Sequence, residues 1–514
     1  MTNARQKIGT EHYYAYAWQG GSHQYHMNKD DFVGNNSFPS VVPSALGSWS
    51  EIPIQETPII DANTGAITGY ETYNRGPYRD EYGWKGGTVT NNGKIYCGRQ
   101  GAVFTLMIDP NTRKSYIHSN AGQDMASSKT SAMVATPNGT VVNVPARGDD
   151  LYHYDPLNHT NWQPYPGGPR VLGSVTAENT IGDDLFAYPG SYSWNSKAGF
   201  MFCTGIVAPN NGCIYMVPDF HDYVIKYNPV TYEATQVGAA TGNIGNLVDD
   251  TSGSYPWNST NGTGRHKFSD ACLGPDGKIY MIGNYHRYIG VIDPFTDTVN
   301  FSHKSYSGAG NTVNSADTWF MLNSLTMTNL TQACEMGPDG MIYILPDEYP
   351  WIMKYDPIAD EFHQLTGRTL RANLTEADKT NAAIGTVDIS AQTHGTDHRH
   401  VGCVVGADGN IYAAPGNNNK LLKVYTGYKD DNSASAAACP AEHGYELIDM
   451  PGWNDATGPG TDYGRSLIPA PNGHLYMPPG TEKSSPAPQG VIEIRIGVAS
   501  KPAEWTYGPY VTHK

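Results

Sequence analysis

Short apolar segments recur along the chain at wide intervals, and seven of them directly follow an Asn-Gly or Asp-Gly pair. The seven copies are NNGKIY (91–96), PNGTVV (137–142), NNGCIY (210–215), PDGKIY (275–280), PDGMIY (338–343), ADGNIY (407–412) and PNGHLY (471–476). The pair favours a type I′ turn between antiparallel strands, because both of its residues tolerate positive φ. Repetition at wide intervals predicts a repeat architecture built from β-hairpins.

Each repeat extends well beyond its turn. Counting from the turn glycine, the third residue is Tyr in six copies, the sixth is Pro in five, and the sixteenth is Asp or Asn before Pro in five. Because Pro cannot continue a ladder, a strand is expected to end at each Asx-Pro pair. Each unit is therefore predicted to form one four-stranded antiparallel blade. The whole chain is predicted to be all-β, with a single β-propeller of seven blades. Residues 59–72 resemble half a unit, so a ring of eight blades remains the alternative to seven.

The length of the units varies only between the last strand of one unit and the first strand of the next. In a propeller the tight turns share one face, so this pattern predicts long loop insertions on the opposite face, where function is expected. Residues 51–90 are predicted to close the ring with the C-terminal blade, giving a domain of 51–514. Residues 1–50 fit no unit and form a predicted aromatic arm that docks on the propeller or on a neighbouring subunit.

Composition limits the partners of the chain. The net charge is −16, which argues against nucleic acid as a partner. No apolar run is long enough for a membrane-spanning helix, so no membrane insertion is expected. The first residues lack the apolar core of a secretory signal, which predicts synthesis in the cytoplasm.

Candidate metal ligands cluster in one segment, THGTDHRHVGC (393–403). The types that bind metal are His394, Asp397, His398 and His400, and His266 precedes another inner strand at a comparable point. The ordinary interpretation is that they are hydrogen-bonded side chains in an ordered polar loop. The chain therefore needs no cofactor, although a divalent metal at the channel mouth remains an alternative.

Two further residue types stand out in the pattern. Cysteines at near-equivalent places, including Cys272, Cys334 and Cys403, are expected to be small buried side chains around the channel, with a soft-metal ring as the alternative. The long insertions carry tryptophans that either anchor the loops or bind sugars and protein partners. These candidate binding residues are Trp162, Trp194, Trp257, Trp319 and Trp453.

The repeat itself resembles that of a known group of proteins. The unit GPDGKIYMIGNYHRYIGVIDPFTDTV (274–299) is similar to the repeats of the NHL, SMP-30 and virginiamycin-lyase propellers. The resemblance covers most of residues 90–496 and implies the blade, not an activity. Lyases and lactonases of these groups use acids and histidines that bind metal near the channel mouth, but no such motif can be matched here, so no catalytic residue is assigned.

Three classes of function follow from these observations. The first is a non-enzymatic structural and interaction protein, a bacteriophage or other virion component of the tail or capsid surface, which binds other subunits through its loop face and arm. The absence of a secretion signal, combined with a composition rich in Gly, Asn, Thr and Tyr, favours this class. The alternatives are a metal-dependent enzyme of the lyase or lactonase type and a lectin-like propeller that binds cell-surface glycan.

Overall fold

The structure is a computed structural model, and its regular elements are all β-strands. The described residues are 13–17, 24–28, 49–52, 54–55, 57–60, 67–71, 83–90, 93–99, 105–118, 129–137, 139–147, 151–154, 202–219, 223–237, 268–283, 289–301, 331–346, 352–364, 400–416, 420–426, 444–450, 466–470, 472–479 and 490–496. No helix occurs among these residues, so the all-β prediction is confirmed for the part of the chain that can be described.

Seven sheets of three or more strands follow one another through these residues, and they are numbered here in chain order. Sheet 1 has β7 (Trp84–Val89), β8 (Ile95–Arg99), β9 (Thr105–Asp109), β10 (Lys114–His118) and, parallel to β10, β4 (Ile54–Gln55). Sheet 2 has β11 (Lys129–Ala135), β12 (Val141–Arg147) and β13 (Tyr152–Tyr154). Sheet 3 has β14 (Phe202–Val207), β15 (Ile214–Pro218), β16 (Ile225–Asn228) and β17 (Glu233–Gln236). Sheet 4 has β18 (Phe268–Leu273), β19 (Ile279–Gly283), β20 (Gly290–Asp293) and β21 (Thr298–Phe301).

The remaining sheets repeat the same antiparallel order. Sheet 5 has β22 (Thr331–Met336), β23 (Ile342–Pro346), β24 (Met353–Asp356) and β25 (Glu361–Gln364). Sheet 6 has β26 (His400–Val405), β27 (Ile411–Pro415), β28 (Lys420–Val424) and β29 (Tyr445–Asp449). Sheet 7 has β30 (Ile468–Pro469), β31 (Leu475–Met477), β32 (Val491–Ile494) and β3 (Trp49–Ile52). Two hairpins stand apart, β1 (Tyr13–Ala17) with β2 (Gln24–Asn28) and β5 (Thr57–Ile60) with β6 (Ile67–Glu71).

The sheets are arranged as a ring around their first strands. These strands contact one another in the order β7, β11, β14, β18, β22, β26 and β30, and β30 contacts β7 again. Buried apolar clusters fill the spaces between neighbouring sheets, from the pair of sheets 1 and 2 through to the shared core of sheets 5, 6, 7 and 1. This arrangement is a β-propeller, with six sheets of three or four strands as blades and a five-stranded sheet in the same ring.

Burial along the strands explains the apolar pattern of the sequence. The two inner strands of sheet 3, β14 and β15, are buried at every position, because both faces of an inner strand pack against neighbouring sheets. The outer strands β16 and β17 alternate between buried and more exposed positions. The apolar runs therefore mark the inner half of each blade, and the alternating segments mark the rim.

The Asx-Gly hairpins form at the predicted places, but their turn type differs from the prediction. All seven turn glycines have positive φ, between 70° and 86°. The described Asx residues before them, such as Asp276, do not. In sheet 4 the Gly277 amide donates to the Gly274 carbonyl at 3.0 Å, and the Gly274 amide donates to the Lys278 carbonyl at 2.7 Å. This is a type I turn followed by a left-handed glycine, so the type I′ assignment was wrong: the turn begins before the Asx residue, where Pro275 favours type I.

The ring is closed by a strand from the N-terminal part of the chain. Strand β3 pairs antiparallel with β32, with Trp49 opposite Ile494 and Ile52 opposite Val491. The half-unit at 59–72 contributes only the two-stranded hairpin β5–β6 to the described structure. In the predicted arm, β1 and β2 pair as a hairpin, and β1 contacts β18 and β22 near the channel.

Candidate functional site

Acids, thiols and a histidine lie together on the inner strands of three consecutive sheets. Strand β18 carries Asp270 and Cys272, β22 carries Cys334 and Glu335, and β26 carries Cys403 and His400. All six side chains are fully buried. We call this set the inner-strand cluster, and it is the densest group of titratable side chains among the described inner strands.

Asp270 joins two blades through its carboxylate. It follows a bulge in β18, where the pairing with β19 shifts between Phe268 and Asp270. Its Oδ2 accepts a hydrogen bond from the backbone amide of Cys334 on the next sheet at 2.7 Å. Because the first strand is the edge of each sheet, such amides need a partner from outside the ladder. Asp270 supplies that partner for sheet 5.

At two other contacts between neighbouring sheets, a hydroxyl oxygen accepts a hydrogen bond from a backbone amide in the same way. Ser466 Oγ, just before β30, accepts from the Gly86 amide of sheet 1 at 3.1 Å. Thr88 Oγ1 accepts from the Ala135 amide of sheet 2 at 3.1 Å. Asp270, Ser466 and Thr88 therefore each serve the contact between neighbouring blades.

Glu335 is buried without a charged partner among the described residues. Its Oε1 accepts from the Met336 amide at 3.1 Å, while Oε2 has no hydrogen-bond partner within that part of the structure. Burial raises the pKa of Glu335 well above its usual value, and repulsion from Cys272 and Asp270 adds to the effect. Burial therefore favours the neutral, protonated form of this carboxyl group.

Burial has the same effect on two thiols of the cluster, those of Cys334 and Cys403. Burial raises the pKa of Cys334 and of Cys403 well above the usual value for a thiol. A protonated thiol is a poor nucleophile and a poor metal ligand. Among the described residues, no three His, Cys, Asp or Glu side chains are arranged to hold a metal ion. Cys272, Cys334 and Cys403 are fully buried on the inner strands, where the sequence predicts small buried side chains.

The structure describes only one of the predicted metal ligands. His400 begins β26, opposite Pro415, and is fully buried. His266, His394, Asp397 and His398 lie outside the described residues. The same holds for the five candidate tryptophans of the insertions, Trp162, Trp194, Trp257, Trp319 and Trp453. Binding by these residues stays a prediction.

A second polar group lies where the ring closes. Glu493 of β32 accepts hydrogen bonds from Tyr476 at 2.8 Å and from Ser50 of β3 at 3.1 Å. The guanidinium group of Arg113, from the turn between β9 and β10 of sheet 1, lies 2.8 Å from Glu493 Oε2. His474 Nδ1 lies 3.4 Å from Oε1. One carboxylate therefore binds the last blade, the N-terminal strand and the first blade together.

Ionisation of this group follows from its contacts. Burial opposes the charge of Glu493, but hydrogen bonds from Tyr476 and Ser50 and the charges of Arg113 and His474 outweigh it and lower the pKa of the carboxyl group. Burial lowers the pKa of His474, against the opposing attraction of Glu493. These contacts favour the ionised form of Glu493 and the neutral form of His474.

Sequence reasoning missed one recurrent position, the fourth residue after the Asx of each Asx-Pro turn. Among the described residues, the non-glycine positions with positive φ are Arg113, Tyr232, Asp297 and Asp360, and all four stand at this offset. Their side chains make specific contacts. Arg113 binds Glu493 of sheet 7, and Asp297 accepts from Tyr215 and pairs with Lys226 of sheet 3. The constant offset from the Asx-Pro pair was the signal available in the sequence.

The tight turns of neighbouring sheets also touch each other. Asn210 and Asn211 of sheet 3 donate through their side-chain amides to the Pro294 carbonyl of sheet 4, at 2.9 and 3.3 Å. The Tyr280 hydroxyl of sheet 4 donates to the Pro357 carbonyl of sheet 5 at 3.3 Å. The Asx-Gly and Asx-Pro turns of these sheets therefore lie on one face of the ring, which is called the turn face below.

Within the described residues, no helix is both long and apolar enough to cross a membrane.

Comparison with known proteins gives similarity in structure alone. No protein-family model matches the sequence, and no curated protein does. A streptogramin B lyase structure is 11% identical, with a TM-score of 0.43, over 81% of this chain and 94% of that chain. A virginiamycin B lyase from Staphylococcus aureus is 10% identical, with a TM-score of 0.42, over 83% of this chain and 97% of that chain.

A propeller from a different kind of protein has a comparable TM-score. The β-propeller domain of Swd1 from Myceliophteria thermophila is 8% identical, with a TM-score of 0.42, over 82% of this chain and 98% of that chain. Lyase-like propellers, which the repeat resembles in sequence, are thus among the similar solved structures, and at these identities the similarity extends to no activity. The chain is a β-propeller by the cyclic arrangement of its own sheets.

Proposed function

We propose that this protein is a non-enzymatic structural and interaction protein, and that it serves as a bacteriophage or other viral virion component, at the tail or the capsid surface. It is made in the cytoplasm and carried in the virion. Its partners are other protein subunits of the assembly, with a cell-surface glycan as a further ligand. Binding takes place through the long loops opposite the turn face and through the arm of residues 1–50.

The observation that carries this proposal is that the side chains of the inner-strand cluster are buried and contact neighbouring blades. The Asp270 carboxylate accepts from the Cys334 amide of the next sheet, and burial raises the pKa of Glu335, Cys334 and Cys403 and so favours their protonated forms. A catalytic acid or nucleophile has to reach its substrate, whereas these side chains are fully buried. Their role in blade contacts supports a scaffold that presents surfaces to partners.

The proposal includes a ring of seven blades. It counts sheet 1 as a blade whose outer strand β10 has gained β4, and sheet 7 as a blade completed by β3. The cyclic order of contacts from β7 through β30 and back to β7 supports this count. Under this proposal the hairpin β5–β6 is an addition beside sheet 1, not part of an eighth blade.

The test is mass spectrometry of purified virions, combined with assembly of a variant that lacks residues 1–48. This deletion removes most of the arm but leaves the ring-closing strand β3 intact. We expect the full chain in virions in constant ratio to other structural proteins, and loss of incorporation by the variant. Stoichiometric bound metal in the purified protein, abolished by His398→Ala with His400→Ala, would instead support the enzyme class. A variant incorporated like the full chain would show that the arm has no role in assembly.

A further inference from the structure

Three exposed apolar side chains occupy the same position of three consecutive sheets. Val230, Phe295 and Ile358 each follow the proline of an Asx-Pro turn, in sheets 3, 4 and 5. Their exposed fractions are 71%, 50% and 69%. Within the described part of the chain, these three are the exposed large apolar side chains. One exposed apolar residue needs no explanation, but three at equivalent points of adjoining blades form a row.

The row is held rigidly by its turns. Asn228, Asp293 and Asp356 each accept, through a side-chain oxygen, from the amide of the apolar residue two positions later, at 2.9 Å in every case. The turns are also tied to the neighbouring sheet, because the carbonyls of Pro294 and Pro357 accept hydrogen bonds from the preceding blade. Rigid presentation lowers the entropy cost of binding, which favours a built contact surface.

The charged residues within the three turns of the row are all acidic. The three turn segments read NPVTYE (228–233), DPFTDT (293–298) and DPIADE (356–361), with six carboxylates and no Lys, Arg or His. The lysines nearby are paired, Lys226 with Asp297 at 2.6 Å and Lys278 with Asp276 at 3.2 Å. The row therefore combines apolar tips with an acidic surround.

The equivalent turn of sheet 1 shows that the repeat does not require this combination. It reads DPNTRK (109–114), with exposed Asn111 at the tip and two basic residues behind it. Its backbone is nevertheless fixed in the same way, because the Asn111 amide donates to Asp109 Oδ1 at 3.0 Å. The apolar tips of sheets 3, 4 and 5 are thus a local feature that the turn itself does not require.

We propose that Val230, Phe295 and Ile358, with the carboxylates around them, form a docking surface for another protein whose contact surface presents apolar side chains flanked by Lys or Arg. Apolar tips supply the buried centre of such an interface, and the carboxylates select a basic partner and speed its approach. A second copy that met the row with its own row would place carboxylates against carboxylates, which opposes that pairing. This site lies on the turn face and goes beyond the loop face and arm of the proposed function.

The experiment compares the full chain with the triple variant Val230→Ser, Phe295→Ser, Ile358→Ser and with the matched control Asn111→Ser. The probes are two synthetic amphipathic peptides of equal length, one of Leu and Lys and one of Leu and Glu, titrated by fluorescence anisotropy. We expect the Leu-Lys peptide to bind the full chain, about tenfold more weakly to the triple variant, and equally to Asn111→Ser. The Leu-Glu peptide should not bind. Because all four positions are exposed, circular dichroism should show unchanged folding.

A second variant tests the charge by itself. Glu233 is exposed at the end of the first turn, and Glu233→Lys should weaken binding of the Leu-Lys peptide about threefold, with most of the loss in the association rate at low salt. The proposal is overturned if the triple variant binds as the full chain does, if both peptides bind alike, or if neither binds. Self-association of the full chain in sedimentation velocity, lost in the triple variant, would instead assign the row to a second copy.

Discussion

At the scale of single residues, the repeat is a hydrogen-bonded motif that joins a turn to the strand after it. The tyrosine three residues beyond the turn glycine is buried in all six copies that have it. Its hydroxyl group pairs with the Asx side chain of its own turn, as in Tyr343 with Asp339 and Tyr412 with Asp408, both at 2.8 Å. The Asx residue and the tyrosine therefore recur together because each satisfies the other in a buried place.

The turn glycine gives the first prediction. Gly277 has a φ of +78°, and a Cβ there would lie 3.3 Å from the Phe295 ring. Gly277→Ala should lower the free energy of unfolding by about 1–2 kcal/mol, because alanine is strained at positive φ. Gly277→Asn should cost less, since asparagine tolerates this conformation. Urea denaturation of both variants checks the order, and equal losses would show that contact with Phe295, not the backbone, sets the cost.

At the scale of elements, neighbouring blades are joined by side chains that reach the edge of the next inner strand. Asp270, Thr88 and Ser466 each bind a backbone amide of the following sheet. On the rim, the left-handed residues after the Asx-Pro turns make further contacts, of which Asp297 with Lys226 is the shortest ion pair. The apolar clusters supply most of the stabilisation between blades, and these polar contacts fix their register.

Asp270 gives the prediction for this scale. Asp270→Ala should lower the free energy of unfolding by about 1–3 kcal/mol, because it leaves the buried Cys334 amide without its acceptor. Asp270→Asn keeps an oxygen acceptor at the same place and should recover most of the stability. Thermal and urea unfolding of the two variants measure this difference. If both variants lost the same stability, the carboxylate charge, and not the hydrogen bond, would be the important property.

The sequence predicts those parts of the blades that depend on local chemistry. Turn glycines, buried tyrosines and Asx-Pro strand ends follow from short-range rules, so the hairpins appear where they were expected. The turn type was wrong because residues before the Asx pair, such as Pro275, take part in the turn. Pairing of Ser50 with Glu493 joins residues 443 positions apart, and no local pattern contains that information. The same limit applies to Asp270, whose partner lies on another repeat.

At the scale of the whole molecule, stability depends on closing the ring. Glu493 accepts hydrogen bonds from Tyr476 of its own sheet and Ser50 of the N-terminal strand, and it forms an ion pair with Arg113 of sheet 1. A ring of sheets without this closure would leave the edge of β32 unpaired. The carboxylate and the β3–β32 ladder together convert a row of blades into a closed body.

This closure should depend on pH. The pKa of Glu493 is lowered in the folded chain, so its contribution is complete above the unfolded pKa and is lost as the pH falls through the folded value. The pKa of His474 is also lowered, so protonation below its unfolded pKa favours unfolding as well. Glu493→Gln should flatten the fall of Tm at acidic pH, where the unfolded chain takes up the proton first, measured by calorimetry from about pH 6 to about pH 3. The exposed control Glu233→Gln should keep the slope of the full chain.

Two truncations separate the arm from the closure of the ring. Deleting residues 1–48 removes β1 and β2 but leaves β3, whereas deleting residues 1–56 also removes β3 and β4, which pair with β32 and β10. The shorter deletion should keep a single cooperative unfolding transition. The longer one should lower Tm by about 5 °C, roughly 1 °C for each of the several kcal/mol lost in a chain of this length, because it exposes the edge of β32 and takes Ser50 from Glu493. It should also promote concentration-dependent association, since an unpaired strand edge recruits other chains. Calorimetry and sedimentation of the pair measure both effects, and equal behaviour of the two truncations would show that the ring is held closed without β3.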